Sequence, residues 1–162
     1  MRIERHKAII RDAEEDDIGG IADLWWELFA FHADLDPIFT PSPNGREHYR
    51  RYIKYHLSDK ESIVLVIEHE RRLLGYLLAQ IQSMPPVMAC RKIGFIADVA
   101  VTSEARGAGL GRKLYQEAER RMRDLGVARL ELKTSSFNPL SNYFWEEVCG
   151  FKEFVKIRYK EL

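Results

Sequence analysis

Between residues 18 and 29 apolar side chains recur at intervals of three and four, at Ile18, Ile21, Leu24, Trp25, Leu28 and Phe29. That spacing aligns them on one stripe of a helix, the face that buries. A short strand over 7–11 precedes it, and Asp12 stands three positions before Glu15, which predicts a capping box at the helix start. The run 34–45 carries three prolines and reads as a loop. A second helix follows, with Tyr49, Tyr52, Ile53, His56 and Leu57 sharing a face. The pattern then turns β-branched: 62–68 and 73–82, split by the charged turn Glu70-Arg71-Arg72, predict an antiparallel hairpin, with Gly75 marking a bulge. A third strand is predicted over 93–101. After a glycine-rich loop comes a helix from about 109 to 125, with Leu110, Leu114, Tyr115, Ala118, Met122 and Leu125 inside and Gly126 as its left-handed cap. Alternation predicts a strand over 128–134, then a short helix over 139–148 and a last strand over 151–159. The order β, α, α, β, β, β, α, β, α, β describes one α/β unit.

Composition narrows the function classes. At 162 residues the chain reads as a single domain, 1–162, because one hydrophobic core serves roughly 100 to 200 residues. With 46% hydrophobic and 11% aromatic residues it needs no disulfide or metal staple. Apolar runs such as 63–67 fall far short of the roughly 18 residues that cross a bilayer. The mixed charge of Met1-Arg2-Ile3-Glu4-Arg5 has no apolar segment behind it, so no secretory leader is expected and a cytoplasmic location is. Lysine and arginine total 25, as do aspartate and glutamate, so the basic excess needed to grip nucleic acid or an anionic membrane is missing. The halves differ: 11 basic against 15 acidic residues in 1–81, and 14 against 10 in 82–162. A phosphorylated ligand suits the second half better. Cys90 and Cys149 form no CxxC pair, and the histidines at 6, 32, 48, 56 and 69 show no ligand spacing, so no metal is expected.

The informative stretch is Arg106-Gly107-Ala108-Gly109-Leu110-Gly111-Arg112-Lys113, between a strand and a helix. Its glycines free the turn sterically, and the first helical N–H groups, unpaired by geometry, face outward at the positive end of the helix dipole. Such a turn binds phosphate, and three cations at the same end favour a pyrophosphate. The dinucleotide fingerprint GxGxxG fails, because Arg112 stands where its last glycine belongs. A P-loop cannot be written through the segment. RxxGxG fits, at Arg106, Gly109 and Gly111.

With that turn, the segment DVAVTSEARGAGLGRKLYQEAE resembles the central motif of the GNAT superfamily of acetyl-CoA-dependent N-acetyltransferases, and Asn138 with EEVCGF is similar to the family's ending. The resemblance implies a GNAT-like α/β fold: a mixed, mostly antiparallel central sheet flanked by helices on both faces. It also implies acetyl-CoA as co-substrate. The pantetheine arm would run along Val99, Ala100 and Val101, and the phosphates would rest on Arg106, Gly107, Ala108, Gly109, Leu110, Gly111 and Arg112, with Asn138 and Ser141 completing the cofactor contacts. The chemistry implied is direct attack of an amine, on a small molecule or a peptide, upon the thioester. A homodimer is expected on the same analogy.

The sequence departs from the family at the acid that protonates the leaving sulfur. A tyrosine commonly stands seven residues after the asparagine and four before Gly-Phe; here those places hold Trp145 and Glu146, and the interval is one residue longer. The nearest phenol, Tyr143, lies roughly 200° around a helix from Trp145. It is a candidate acid, or a packing residue with water supplying the proton. Asp98, read by alternation as pointing opposite Ala97 and Val99, is the first candidate base, or else a carboxylate that caps backbone or pairs with an arginine. Glu27 and Glu104 are weaker candidates. Of Trp25 and Trp26, one is expected inside and the other against the acceptor. The acidic first half hints at a cationic acceptor such as a polyamine or aminoglycoside. A catalytically inactive acyl-CoA-binding module is the alternative to an enzyme, and a protein whose turn takes ATP or NAD is a third reading.

Overall fold

A computed structural model describes residues 8–162. Strand β1 (Ile9–Asp12) leads through a 3₁₀ turn (Glu15–Asp17) into α1 (Ile18–Leu35), and a second 3₁₀ turn (Pro37–Phe39) precedes α2 (Gly45–Ser58). Strands β2 (Ser62–His69), β3 (Arg72–Ser83) and β4 (Lys92–Val101) follow, then α3 (Leu110–Asp124), β5 (Leu130–Leu132) and α4 (Pro139–Tyr143). The five strands form one sheet in sequential order, antiparallel except for the β4–β5 pair. Parallel β4 and β5 need a crossover, which α3 supplies.

Two cores sandwich this sheet. On one face Ile21, Leu24, Tyr49 and Ile53 of α1 and α2 pack on Val64, Val66, Tyr76 and Leu78. On the other, Leu110, Leu114, Ala118 and Met122 of α3 pack on Leu65, Ile67, Leu77 and Ile96, while Leu125, expected on the same face, falls just past the helix end and is exposed. The expected mixed, mostly antiparallel sheet with helices on both faces is therefore present.

Several local expectations change. The capping box lies two positions later than predicted: the Glu14 N–H donates to Asp17 Oδ2 at 2.7 Å. Asp12 instead ends β1 and pairs with Arg121 of α3. Asp17 is the better choice because Arg11 also grips its carboxylate, at 2.6 Å. Residue 7 of the predicted first strand lies outside the described residues. The bulge expected at Gly75 lies beside it, since Ile67 pairs with Gly75 and Glu68 with Leu73 and Leu74 is left extra; Gly75 itself is required by close approach, because a Cβ there would lie 2.6 Å from the Ala100 carbonyl oxygen. The last predicted strand, 151–159, is not formed. Its alternation is real, but Phe154, Val155, Ile157 and Tyr159 are all exposed. Periodicity supplies a strand's shape and not its partner, and among the described residues no strand pairs with this segment.

Candidate functional site

The β4–β5 ladder is short. It joins Gly94, Phe95 and Ile96 to Leu130, Glu131 and Leu132 and stops there, whereas β4 runs on to Val101. Immediately past Ile96 the register of β4 against β3 shifts: Ala79 faces Ile96 and Leu78 faces Asp98, which leaves Ala97 as an extra residue. This is a β-bulge, and it bends β4 away from β5. The Thr102 N–H donates to Leu74 O at 2.8 Å, so alternation turns the main-chain polar groups of Val99 and Val101 away from β3, toward the opening. Val101 O there accepts a bond from Arg106 Nε at 3.3 Å.

The same bulge corrects the predicted direction of Asp98. Ala97 packs into the core under α1 and α2, and Asp98, paired opposite Leu78, turns to that same face. The two are neighbours on one side, not on opposite sides. Tyr49 Oη donates to Asp98 Oδ2 at 2.7 Å and lies 3.0 Å from Tyr76 Oη. Burial pushes the Asp98 carboxyl above the usual carboxylate range, against the opposing pull of the Tyr49 hydroxyl and of nearby His32. The same burial drives the Tyr49 and Tyr76 phenols well above their ordinary values, so both stay protonated.

At the end of the opening lies the glycine turn. Gly107 and Gly109 adopt φ of 73° and 77°, a left-handed conformation that disfavours a Cβ. A Cβ at either would meet no atom within 4 Å, so the turn's outer surface is open to a ligand. Gly109 is the N-cap of α3, and the first helical bond runs from the Lys113 N–H to Gly109 O. The N–H groups of Leu110, Gly111 and Arg112 precede that bond and are left for an acceptor outside the helix. Ala108 packs against the α3 core, which fixes the turn from below.

Helix α4 crosses near the same turn. Its N-cap Asn138 is buried, and its Oδ1 accepts from the Ser141 N–H at 3.1 Å, so this asparagine and Ser141 are joined in starting the helix. After Tyr143 the chain forms a π turn over Phe144–Val148, closed by the Cys149 N–H to Phe144 O at 3.0 Å. A π turn holds one residue more than an α turn, which is how the extra position between Asn138 and Gly150 is accommodated. Trp145 is 9% exposed and packs against Tyr115 and Phe151, whereas Tyr143 is 63% exposed. Phe144 is the residue turned to the glycine turn, its ring 3.6 Å from where a Cβ of Gly111 would stand.

The remaining candidates separate clearly. Glu104 pairs with Arg72 at 2.8 Å, and Glu27 is exposed on α1. Trp25 stacks on Tyr49 with ring centres 4.5 Å apart, while Trp26 lies under the Arg46 guanidinium. The sequence reading missed three residues around Asp98: Tyr49, Tyr76 and His32. His32 Nδ1 donates to Leu28 O at 2.8 Å, and its Nε2 lies 3.5 Å from Asn138 Nδ2. The face shared by Tyr49, Ile53 and His56 was the one available signal for Tyr49; nothing local marked the others. Among the described residues no group of three or more His, Cys, Asp or Glu is placed to hold a metal ion, and no helix is long and apolar enough to cross a membrane.

Known proteins share this fold. The structure is similar to that of a tetramutant of the BH1408 protein from Bacillus halodurans, at 24% identity and a TM-score of 0.85, over 95% of this chain and 99% of that one. An acetyltransferase from Trypanosoma brucei superposes at a TM-score of 0.70 and 24% identity, over 96% and 99% of the two chains. Glucosamine-6-phosphate N-acetyltransferase from Arabidopsis thaliana does so at 0.69 and 23%, over 95% and 97%. At these identities the likeness is one of fold. Among curated proteins none matches the sequence. The sequence profile of the acetyltransferase (GNAT) family matches residues 21–151, a span that holds the split between β4 and β5, the glycine turn and the Asn138 helix. The chain therefore belongs to the acetyltransferase (GNAT) family.

Proposed function

We propose that the protein moves the acetyl group of acetyl-CoA onto the nitrogen of an amine by direct attack. The observation that carries this reading is the outward-facing edge of β4 at Val99 and Val101, running into a turn where Gly107 and Gly109 leave open space. Pantetheine, whose amides both donate and accept, would pair with that edge beside Val99, Ala100 and Val101. The diphosphate would rest on the N–H groups of Leu110, Gly111 and Arg112, with the Arg106 and Arg112 side chains supplying charge and Gly107, Ala108 and Gly109 shaping the bend. Asn138 and Ser141 fix the start of the helix that flanks the cofactor.

The amine arrives from the α1–α2 side, where Asp98 points. Its ammonium loses one proton to Asp98, and the neutral nitrogen attacks the thioester carbonyl. The C–N bond forms, the C–S bond breaks, and the electron pair leaves on sulfur. A main-chain N–H of β4 stabilises the developing negative charge on the carbonyl oxygen. The nitrogen then releases its second proton to solvent, Tyr143 delivers one to the sulfur and is reprotonated from solvent, and amide and free thiol leave as Asp98 returns its proton to solvent. The exposed apolar segment 154–159 supports a homodimer in which a second copy covers it.

Thiol release from acetyl-CoA in the presence of a panel of primary amines tests the reading. Turnover on at least one amine supports it. Tight coenzyme A binding without turnover on any would favour the inactive binding module, a reading to which buried Trp145, standing where the family's acid is expected, lends some weight. Stronger binding of NAD or ATP than of acetyl-CoA would overturn both.

A further inference from the structure

A cavity of about 490 Å³ opens between α1, the Pro37–Phe39 turn and α2, within the range of small-molecule sites. Its walls are aromatic. Trp25 stacks on Tyr49, with ring planes within 11° of parallel, and lies 4.8 Å from Phe29. Phe39 closes edge-on against Phe29, and Tyr52 tilts against Tyr49 at 5.6 Å. Gln80 Nε2 donates to Tyr52 Oη at 2.7 Å, which holds that wall in place. No carboxylate lines the cavity: the polar side chains on its wall carry hydroxyls, the His48 imidazole and the Trp25 indole N–H. Behind this lining, the hydroxyl of the wall residue Tyr49 donates to a single carboxylate, Asp98.

Resting on the acetyl-transfer reading, the geometry points to a narrower acceptor class: a primary monoamine on an aromatic or bulky apolar body, bound in this aromatic cage with its nitrogen toward Asp98. One acid can balance one ammonium. A polyamine or aminoglycoside would bring two or more further charges among Trp25, Phe29 and Phe39, where each would lose water without gaining a counter-ion. The rings offer apolar contact along the body and π-faces to a cation near it. The acidic excess of residues 1–81, which by itself suggests a polycation, is not gathered at this cavity.

The test compares 2-phenylethylamine with spermidine and with a lysine-containing peptide by acetyl-CoA-dependent thiol release, alongside calorimetric titration of each amine. The expected result is a kcat/KM for 2-phenylethylamine at least about tenfold above either competitor, and a rise in its KM of similar size in Phe39→Ala with the KM for acetyl-CoA unchanged. Ile38, at the cavity and 81% exposed, provides a second variant that leaves packing intact: Ile38→Lys should weaken 2-phenylethylamine binding by repulsion. Efficient turnover of spermidine or of the peptide with poor use of 2-phenylethylamine would overturn the proposal while leaving acetyl transfer standing. Binding of 2-phenylethylamine that both variants weaken, with no turnover of any amine, would support the cage and sink the transfer reading. Absence of 2-phenylethylamine binding, or affinity unchanged in both variants, would overturn the cage itself.

Discussion

Tyr49, buried on α2, donates a hydrogen bond from its hydroxyl to Asp98 on β4 across 2.7 Å, and that bond ties a wall residue of the aromatic cavity to β4. Asp98 is placed there by the bulge at Ala97, so a one-residue slip in pairing decides which of two helical layers receives the carboxylate.

Because burial raises the Asp98 carboxyl above its usual 3.8, folding favours its protonated form. Its contribution to stability is fully present below the unfolded value and is lost as pH rises through the raised folded one. Relative to Asp98→Asn, the wild-type protein should therefore lose stability across that window. Urea midpoints of the two proteins between pH 4 and 8 check this, and parallel curves would contradict it.

If Asp98 takes the ammonium proton, kcat/KM has an acid limb set by its carboxyl, lying above the ordinary carboxylate range. Asp98→Asn should lower kcat by about a hundredfold or more, the usual loss of a general base. Tyr49→Phe removes a bond that holds the carboxyl down, so the limb should move to higher pH with stability lower by about 1–3 kcal/mol. An unmoved limb in Tyr49→Phe would assign the titration to another group.

Arg106→Glu should raise the KM for acetyl-CoA at least about tenfold, since a lost charge-assisted contact is worth on the order of 1.5 kcal/mol or more. Because the Arg106 side chain is exposed and its described bond is a long one to Val101 O, melting should change little. Unchanged kinetics would move the diphosphate elsewhere.

Tyr143→Phe tests the sulfur's proton. At 63% exposure the phenol supports no core, so the substitution should leave melting and acetyl-CoA affinity intact while kcat falls about tenfold or more. A fully active variant would hand the step to water, to which a thiolate with a pKa near 8.5 is accessible.

Removal of residues 154–162 should preserve the five-stranded sheet, none of whose strands uses them, and shift the protein to a monomer in light scattering. An unchanged mass would locate the dimer contact elsewhere or show that none exists.

Much of this protein is determined by residues close together in the chain. The stripe from Ile18 to Phe29, the hairpin strands and the left-handed positions at Gly109 and Gly126 follow from periodicity and from backbone angles that only glycine adopts easily. The RxxGxG turn and the family assignment depend on the same short-range information. Tertiary structure decided what depends on a distant partner. Pairing with β3 set the bulge at Ala97 and so put Ala97 and Asp98 on one face; Arg11 chose Asp17 as the cap in place of Asp12; a π turn took up the extra residue before Gly150. The segment 151–159 has a strand's alternation and no neighbour to pair with, since β-structure is completed only by hydrogen bonds from elsewhere. For the same reason the aromatic cavity could not be read in advance: Trp25, Phe39 and Tyr49 acquire a common purpose only when two helices and a turn bring their rings together.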